Sequence, residues 1–227
     1  MLYFVISSVN QYLKCITTRS IRTRKERAPI SSGVIARKWP LMIEQPVLAT
    51  PRLRIRPLER SDTLAIQKAA GAREIADTMI SLPHPYPTGE AERYVAQQQS
   101  EREAGHSATF TIEQKTEGLF CGLVEVRDID REHSQGELSF WLAVEAWGQG
   151  YMSEVVQAVV RYAFESLGLN RLFAYHMLRN PASGRVLEKN GFKQEGLLRQ
   201  RVQKWERFED VALWAILRQE WQDSPGK

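Results

Sequence analysis

With 227 residues, 43% of them hydrophobic and 26% charged, the chain is long enough for one domain with a full core and a short appendage. Its net charge of +4 is unevenly spread: residues 1–41 hold eight Lys or Arg against the single acid Glu26, whereas the rest holds 23 bases and 26 acids. The body is therefore not a basic nucleic-acid binder, and two cysteines and four histidines without ligand spacing predict no metal site.

The basic head opens on an apolar run, Leu2 to Ile6, that Ser7, Ser8, Asn10 and Gln11 interrupt, so it predicts neither a membrane-spanning helix nor a secretory core. Its Arg- and Ser-rich, acid-poor composition suits an organelle transit peptide, and Met42 suits a later chain start; a functional tail is the third possibility. All three place a non-structural extension at 1–41 and the folded domain at 42–227. Cys121, inside an apolar strand, reads as a small core residue of a reducing, cytoplasmic protein.

Along the body, Leu53 to Leu58 alternate as a first strand, after which Ser61 or Asp62 opens a helix. The three prolines of Leu82-Pro83-His84-Pro85-Tyr86-Pro87 make a stiff loop, which is either a plain connector or, with His84 and Tyr86, a wall of a substrate cleft. A helix from Thr88 to Ala104 and a hairpin of Ser107–Ile112 and Leu119–Val126 follow. Asp128, Asp130, Arg131 and Glu132 read as a solvated turn before a strand from Glu137 to Ala143, in which Glu137, Ser139 and Trp141 share one face.

That strand runs into Glu145-Ala146-Trp147-Gly148-Gln149-Gly150-Tyr151-Met152-Ser153-Glu154. Met152, Val155, Val156, Val159, Val160, Ala163, Phe164 and Leu167 then repeat at helical spacing as far as Gly168. Two glycines at a helix start offer free N–H groups to an anion. A Walker loop is excluded because Tyr151 follows Gly150 where Lys would be needed, and the dinucleotide fingerprint lacks its third glycine at Ser153. The strand Arg171–His176 completes a crossover unit. Asn180 then caps a short helix beginning at Pro181 and ending before Gly191-Phe192, and Leu197–Lys204 and Val211–Leu217 form a closing pair of strands. Trp205, Trp214 and Trp221 are expected to pack on the core or at an edge.

Together, Trp147 to Glu154, Asn180-Pro181-Ala182-Ser183, Leu187 to Phe192, Glu195-Gly196 and Arg199 resemble the RimJ/RimL branch of the GNAT N-acetyltransferases. The likeness begins at Thr50 and covers about four-fifths of the chain. It implies an α+β (α/β) GNAT fold: a mixed, mostly antiparallel, twisted sheet of six to seven strands flanked by about four helices, with one parallel pair splayed around the cofactor. It also implies acetyl-CoA as co-substrate and a primary amine as acceptor, either a protein N-terminus or a small molecule, in a monomer or homodimer that engages neither nucleic acid nor membrane. The cofactor-binding residues so implied are Gly148, Gln149, Gly150, Tyr151, Met152 and Ser153, mostly through backbone N–H, with Leu142 and Ala143 polarising the acetyl carbonyl and Asn180 and Ser183 beside the thioester. Glu137 is the expected base, directly or through water, and Ser183 with Asn180 the expected support for the leaving thiolate. Their plainer alternatives are a salt-bridged strand Glu and simple helix capping. Tyr175 is a further acceptor-side candidate, and His176 shares its strand. Glu145 stands where the family's turn has Arg or Gln, which leaves open a non-catalytic acyl-CoA-binding module on the same fold.

Overall fold

Period-two alternation carries most of the architecture. The computed structural model describes residues 43–223 and shows eight strands in the order β1-β2-β3-β4-β5-β6-β8-β7. These are β1 Leu48–Ala49, β2 Leu53–Pro57, β3 Ala108–Gln114, β4 Phe120–Asp130, β5 Gln135–Leu142, β6 Arg171–Met177, β7 Lys193–Lys204 and β8 Arg207–Leu217. Six helices accompany them: α1 Thr63–Ala70, α2 Arg73–Thr78, α3 Glu90–Glu103, α4 Tyr151–Glu165, α5 Pro181–Lys189 and α6 Arg218–Gln222. The extension expected at 1–41 lies outside the described residues, among which no helix is long and apolar enough to cross a membrane.

All pairings are antiparallel except β5 with β6. The sheet thus has the expected mixed type, with eight strands rather than six to seven. The extra strand is β1, two residues too short to show alternation. Helix count also exceeds four. The segment after Asp62 breaks at Gly71-Ala72 into α1 and α2, and five-residue α6 follows β8 directly. The solvated turn lies later than expected: β4 continues through Asp128 and Asp130 because Ile129 is buried, a bulge between Arg127 and Asp130 absorbing the acidic residues.

The two faces of the sheet bury different cores. On one, α4 presents Val155, Val156, Val159, Val160 and Ala163 to Ile55, Phe110, Ile112, Val124, Val126, Leu138 and Leu172, and Leu187 of α5 joins the same cluster. On the other, α1 and α3 bring Ile66, Ala91 and Val95 onto Leu58 and Leu123, with Tyr86, Tyr94, Phe120 and Trp141 packed at the margin. Trp214 and Trp221 lie against the first core, as expected, but Trp205 stands 37% exposed at the β7–β8 hairpin tip. Arg56 fastens the second face through Asp62 (2.6 Å) and Glu113 (2.6 Å), while Thr111 donates to Asp62 (2.8 Å).

Candidate active site

β5 and β6 pair only at Gln135–Arg171, Gly136–Leu172 and Glu137–Phe173, although β5 runs on to Leu142 and β6 to Met177. The strands therefore separate. The parity of each strand says which backbone groups face the opening. Ala143 N–H donates to Cys121 O (2.8 Å), so the odd residues of β5 direct their N–H and C=O toward β4 and the even ones toward β6. Likewise Leu178 N–H donates to Asp210 O (3.0 Å), so even residues of β6 face β8 and odd ones face β5. Phe140 and Leu142 thus meet Tyr175 and Met177 across a gap with no strand between them. The Leu142 N–H faces this gap, while its C=O accepts from Trp147 Nε1 (2.9 Å). Ala143 does not, because its N–H is already bonded within the sheet.

At the mouth of this split, on the α4 side, Gly148 and Gly150 both have φ +74°, a left-handed conformation that glycine adopts without cost. Helix α4 has no side-chain N-cap, and its first internal bond runs from Glu154 N–H to Gly150 O. The N–H groups of Tyr151, Met152 and Ser153 consequently have no helical acceptor and point out of the positive end. The side chains of Tyr151 and Met152 are buried, so only their backbones can serve a ligand; Gln149 donates its amide to Glu145 O (3.1 Å), tying the turn to the exposed Glu145.

The residue this turn depends on and the sequence did not reveal is Arg52. From the β1–β2 turn it donates to Gln149 O (2.9 Å) and Glu154 (2.8 Å), and its guanidinium lies 4.6 Å from the Tyr151 ring centre. Burial would raise the Glu154 carboxyl, but donation from Thr50 and from the Arg52 backbone and side chain outweighs it and holds the group below the usual carboxylate range. A guanidinium from another segment thus buttresses the turn, with its charge paired to Glu154. Beyond the turn an open groove of about 310 Å³ runs past Ser153, Gln157, Lys189 and Asn190.

At the far end of the split, Asn180 caps α5 as predicted. Its Oδ1 accepts from Ser183 N–H (3.4 Å), and its Nδ2 donates to Ser183 Oγ (2.9 Å) and Thr78 O (3.5 Å). Because Ser183 Oγ accepts from Asn180, its own hydrogen remains to donate elsewhere. His176 is unsuited to proton transfer. Its Nδ1 donates to Met177 O (2.9 Å) and its Nε2 accepts from Trp214 Nε1 (3.0 Å), which fixes a neutral, buried ring against Gly184, where a Cβ would come within 2.9 Å of Nε2.

Glu137 and Tyr175 point to the opposite face, that of α1 and α3. Glu137 is bonded to Arg127 Nη2 at 2.5 Å, so the expected base is also a salt-bridged strand residue. Burial and the nearby Glu137 raise the Tyr175 hydroxyl. Tyr86 packs in the cluster that holds Trp141, on this same side, and burial with Glu90 pushes its hydroxyl up to about 12. His84 meets Trp205 edge-on (6.1 Å) at the hairpin tip, where Trp205 donates to Asp77 and Lys204 to Leu82 O (2.5 Å). The proline loop thus packs against the β7–β8 hairpin tip. Among the described residues no group of side chains could hold a metal ion.

The profile of the acetyltransferase (GNAT) domain matches residues 52–193. YoaA, an uncharacterized N-acetyltransferase of Bacillus subtilis, is 30% identical over 160 residues, covering 68% of this chain and 87% of that protein. Among solved structures, spermidine N-acetyltransferase of Vibrio cholerae in complex with CoA and spermine aligns with a TM-score of 0.68 at 24% identity, over 75% of this chain and 98% of that one. RimL, a ribosomal L7/L12 alpha-N-protein acetyltransferase in complex with coenzyme A, aligns with a TM-score of 0.70 at 20% identity, over 77% and 98%. The likeness to these two structures is one of fold.

Proposed function

Because the chain belongs to the GNAT family of N-acetyltransferases, we propose that it moves the acetyl group of acetyl-CoA to the α-amine of a protein N-terminus, the two substrates entering the β5–β6 split from opposite faces of the sheet. The observation that carries this reading is the split itself: backbone N–H groups on both of its edges with no strand partner, although the Leu142 and Met177 carbonyls are already bonded, an anion site at one mouth and a carboxylate on the other face. The pyrophosphate would take the N–H groups of Gly148 to Ser153. The pantetheine arm is an extended chain with two amides and would bond to Phe140 and Leu142 on one side and Tyr175 and Met177 on the other. The nucleotide end would continue toward Lys189 along the groove.

The reaction then needs two proton movements. Glu137 takes a proton from the ammonium, directly or through water, and the freed nitrogen attacks the thioester carbon. The carbonyl oxygen is polarised by the Leu142 N–H as the C–N bond forms. When the C–S bond breaks, the thiolate receives the hydrogen of Ser183, whose hydroxyl Asn180 keeps in a donating orientation, and the second proton of the attacking nitrogen, passed on through water, restores that hydroxyl and leaves a neutral amide.

An N-terminal segment suits the acceptor side better than a polyamine. Arg199 and Arg201 are exposed on β7, and Arg201 acts on Tyr175. The acids around them are engaged already: Glu209 with Arg179 (3.0 Å), Asp210 with Gln200 N–H (2.8 Å), Asp77 with Trp205 and Glu137 with Arg127. A polycation would meet cations and occupied carboxylates. Free-thiol release from acetyl-CoA, measured against a panel of N-terminal peptides, spermidine and simple amines, tests the assignment. Turnover of spermidine alone would overturn the acceptor, and no turnover with any amine would favour an acyl-CoA-binding module.

A further inference from the structure

Behind the Arg127–Glu137 pair stands a charged group that the proposed reaction leaves unused. Glu125 lies two residues before Arg127 on β4 and opposite Ser139 on β5, so its side chain shares a face with Arg127 and Glu137. It is 7% exposed, between Val124 and Val126, where a carboxyl is costly to bury. Tyr94 and Gln98 face it from α3, Thr109 from β3, Glu137 from β5, and Arg127 and Asp128 from its own strand. The carbonyl oxygen of Gln98 is occupied by the hydroxyls of Ser107 (3.0 Å) and Thr109 (2.8 Å), which leaves its amide nitrogen for Glu125. The cation facing Glu125 is Arg127, whose Nε is buried without a partner while its Nη2 holds Glu137. One guanidinium shares a face of the sheet with two carboxylates, bonded to Glu137 and acting on Glu125 through space, and cannot neutralise both.

We propose that Glu125 is a positioning residue for acetyl transfer: by drawing on Arg127 from behind, it weakens the hold of that guanidinium on Glu137 and leaves Glu137 able to take the proton of the amine. The inference rests on the acetyltransferase reading of the cleft. Burial pushes the Glu125 carboxyl up to about 7, with Arg127 opposing and Glu137 and Asp128 reinforcing the shift. Below that pH Glu125 is neutral and Arg127 serves Glu137 alone. Above it two carboxylates share one cation, and the hold of Arg127 on Glu137 loosens. No atom of Glu125 enters the reaction; its charge acts through Arg127.

The test is a pH titration of glutamate carboxyls by carbon NMR in the wild type and in Glu125→Gln, with the Glu137 signal assigned from Glu137→Gln. In the wild type the Glu137 signal should show a second inflection near neutrality, and in Glu125→Gln that inflection should vanish. This measurement needs no acceptor, and a single-step Glu137 curve in the wild type overturns the proposal even if the variant does not fold. With acetyl-CoA and a Ser-initiated peptide, Glu125→Gln should lower kcat/KM for the peptide about tenfold at pH 8 and much less at pH 6, leaving acetyl-CoA affinity unchanged. A pH profile within about threefold of wild type throughout contradicts the positioning role. Absence of turnover in the wild type with every amine would instead sink the acetyl-transfer reading, and the positioning role with it, whatever the carboxyl coupling.

Discussion

In the proposed reaction the two faces of the sheet would achieve recognition by different means. The α4 face offers backbone: two left-handed glycines, the free N–H groups of a helix start and the edges of two parting strands. The α1–α3 face offers side chains, with Glu137, Arg127, Tyr175, Tyr86 and the hairpin cations drawn from widely separated segments. Backbone recognition tolerates sequence change as long as the conformation survives, whereas side-chain recognition fails one residue at a time. The departure at Glu145 illustrates the first case, since Gly148 and Gly150 keep their left-handed conformation with Glu145 in place and Arg52 bonded to the turn.

Variants that separate the faces should sharpen this contrast. The largest effect is expected from Gly150→Glu, which forces a side chain into φ +74° and sets a carboxylate at the phosphate position. Calorimetry should show CoA affinity reduced by about 100-fold or more, and unchanged affinity would remove the phosphate site from the turn. On the other face, Glu137→Gln should reduce kcat by about 10²-fold and flatten the acidic limb of the pH–rate profile without changing CoA affinity. Ser183→Ala, on the sulfur side, should also act on kcat, by about tenfold or more, because its hydroxyl matters once charge develops on the thiolate. A loss below about threefold in either variant would demote that residue to scaffolding.

Stability should divide in the same way. Asp62→Ala strips Arg56 of a buried partner beneath the acceptor-side helices and should cost about 3 kcal/mol in denaturant unfolding, with residual folded protein still binding CoA. Equal loss of CoA binding by the folded fraction would show that the faces are not independent. Glu125 carries a pH signature. Its folded value of about 7 lies above that of the unfolded carboxyl, so its contribution is present in acid and is lost as pH rises toward and through 7. Glu125→Gln should therefore gain stability over wild type as pH climbs, by on the order of 3 kcal/mol above neutrality, and match it near pH 4. A difference that does not vary with pH would mean that Glu125 ionises normally. The smallest change is expected from Arg52→Ala, a few-fold loss of CoA affinity that fades at high salt, because this guanidinium is half exposed.

How much of this was legible in the sequence follows the same division. The turn, helix α4 and the Asn180 cap are local, each written in contiguous residues whose spacing has one physical solution, whereas the mixed sheet is implied by the family resemblance. The acceptor face is tertiary. Nothing near Arg52 in the chain says that it reaches Glu154 and Gln149, and Tyr86 reveals its place only once the proline loop folds onto β5. Two signals were nevertheless available. A lone Glu125 inside the apolar run Cys121–Val126 marks a buried charge that needs a role. Strand parity, once β4 and β5 are recognised as an antiparallel pair, assigns Ala143 to the sheet and Leu142 to the split. His176 could not have been judged from the chain alone, since its neutrality depends on Trp214 across β8.

The central claim is that the split admits the cofactor through backbone bonds, and amide hydrogen exchange followed residue by residue, with and without CoA, tests it most directly. The account predicts that CoA slows exchange at Leu142 and at Tyr175 or Met177, together with Tyr151 to Ser153, while Ala143, already bonded to Cys121, does not change. Protection confined to Tyr151–Ser153, with Leu142, Tyr175 and Met177 unaffected, would show that CoA docks at the turn without entering the split and would contradict the account.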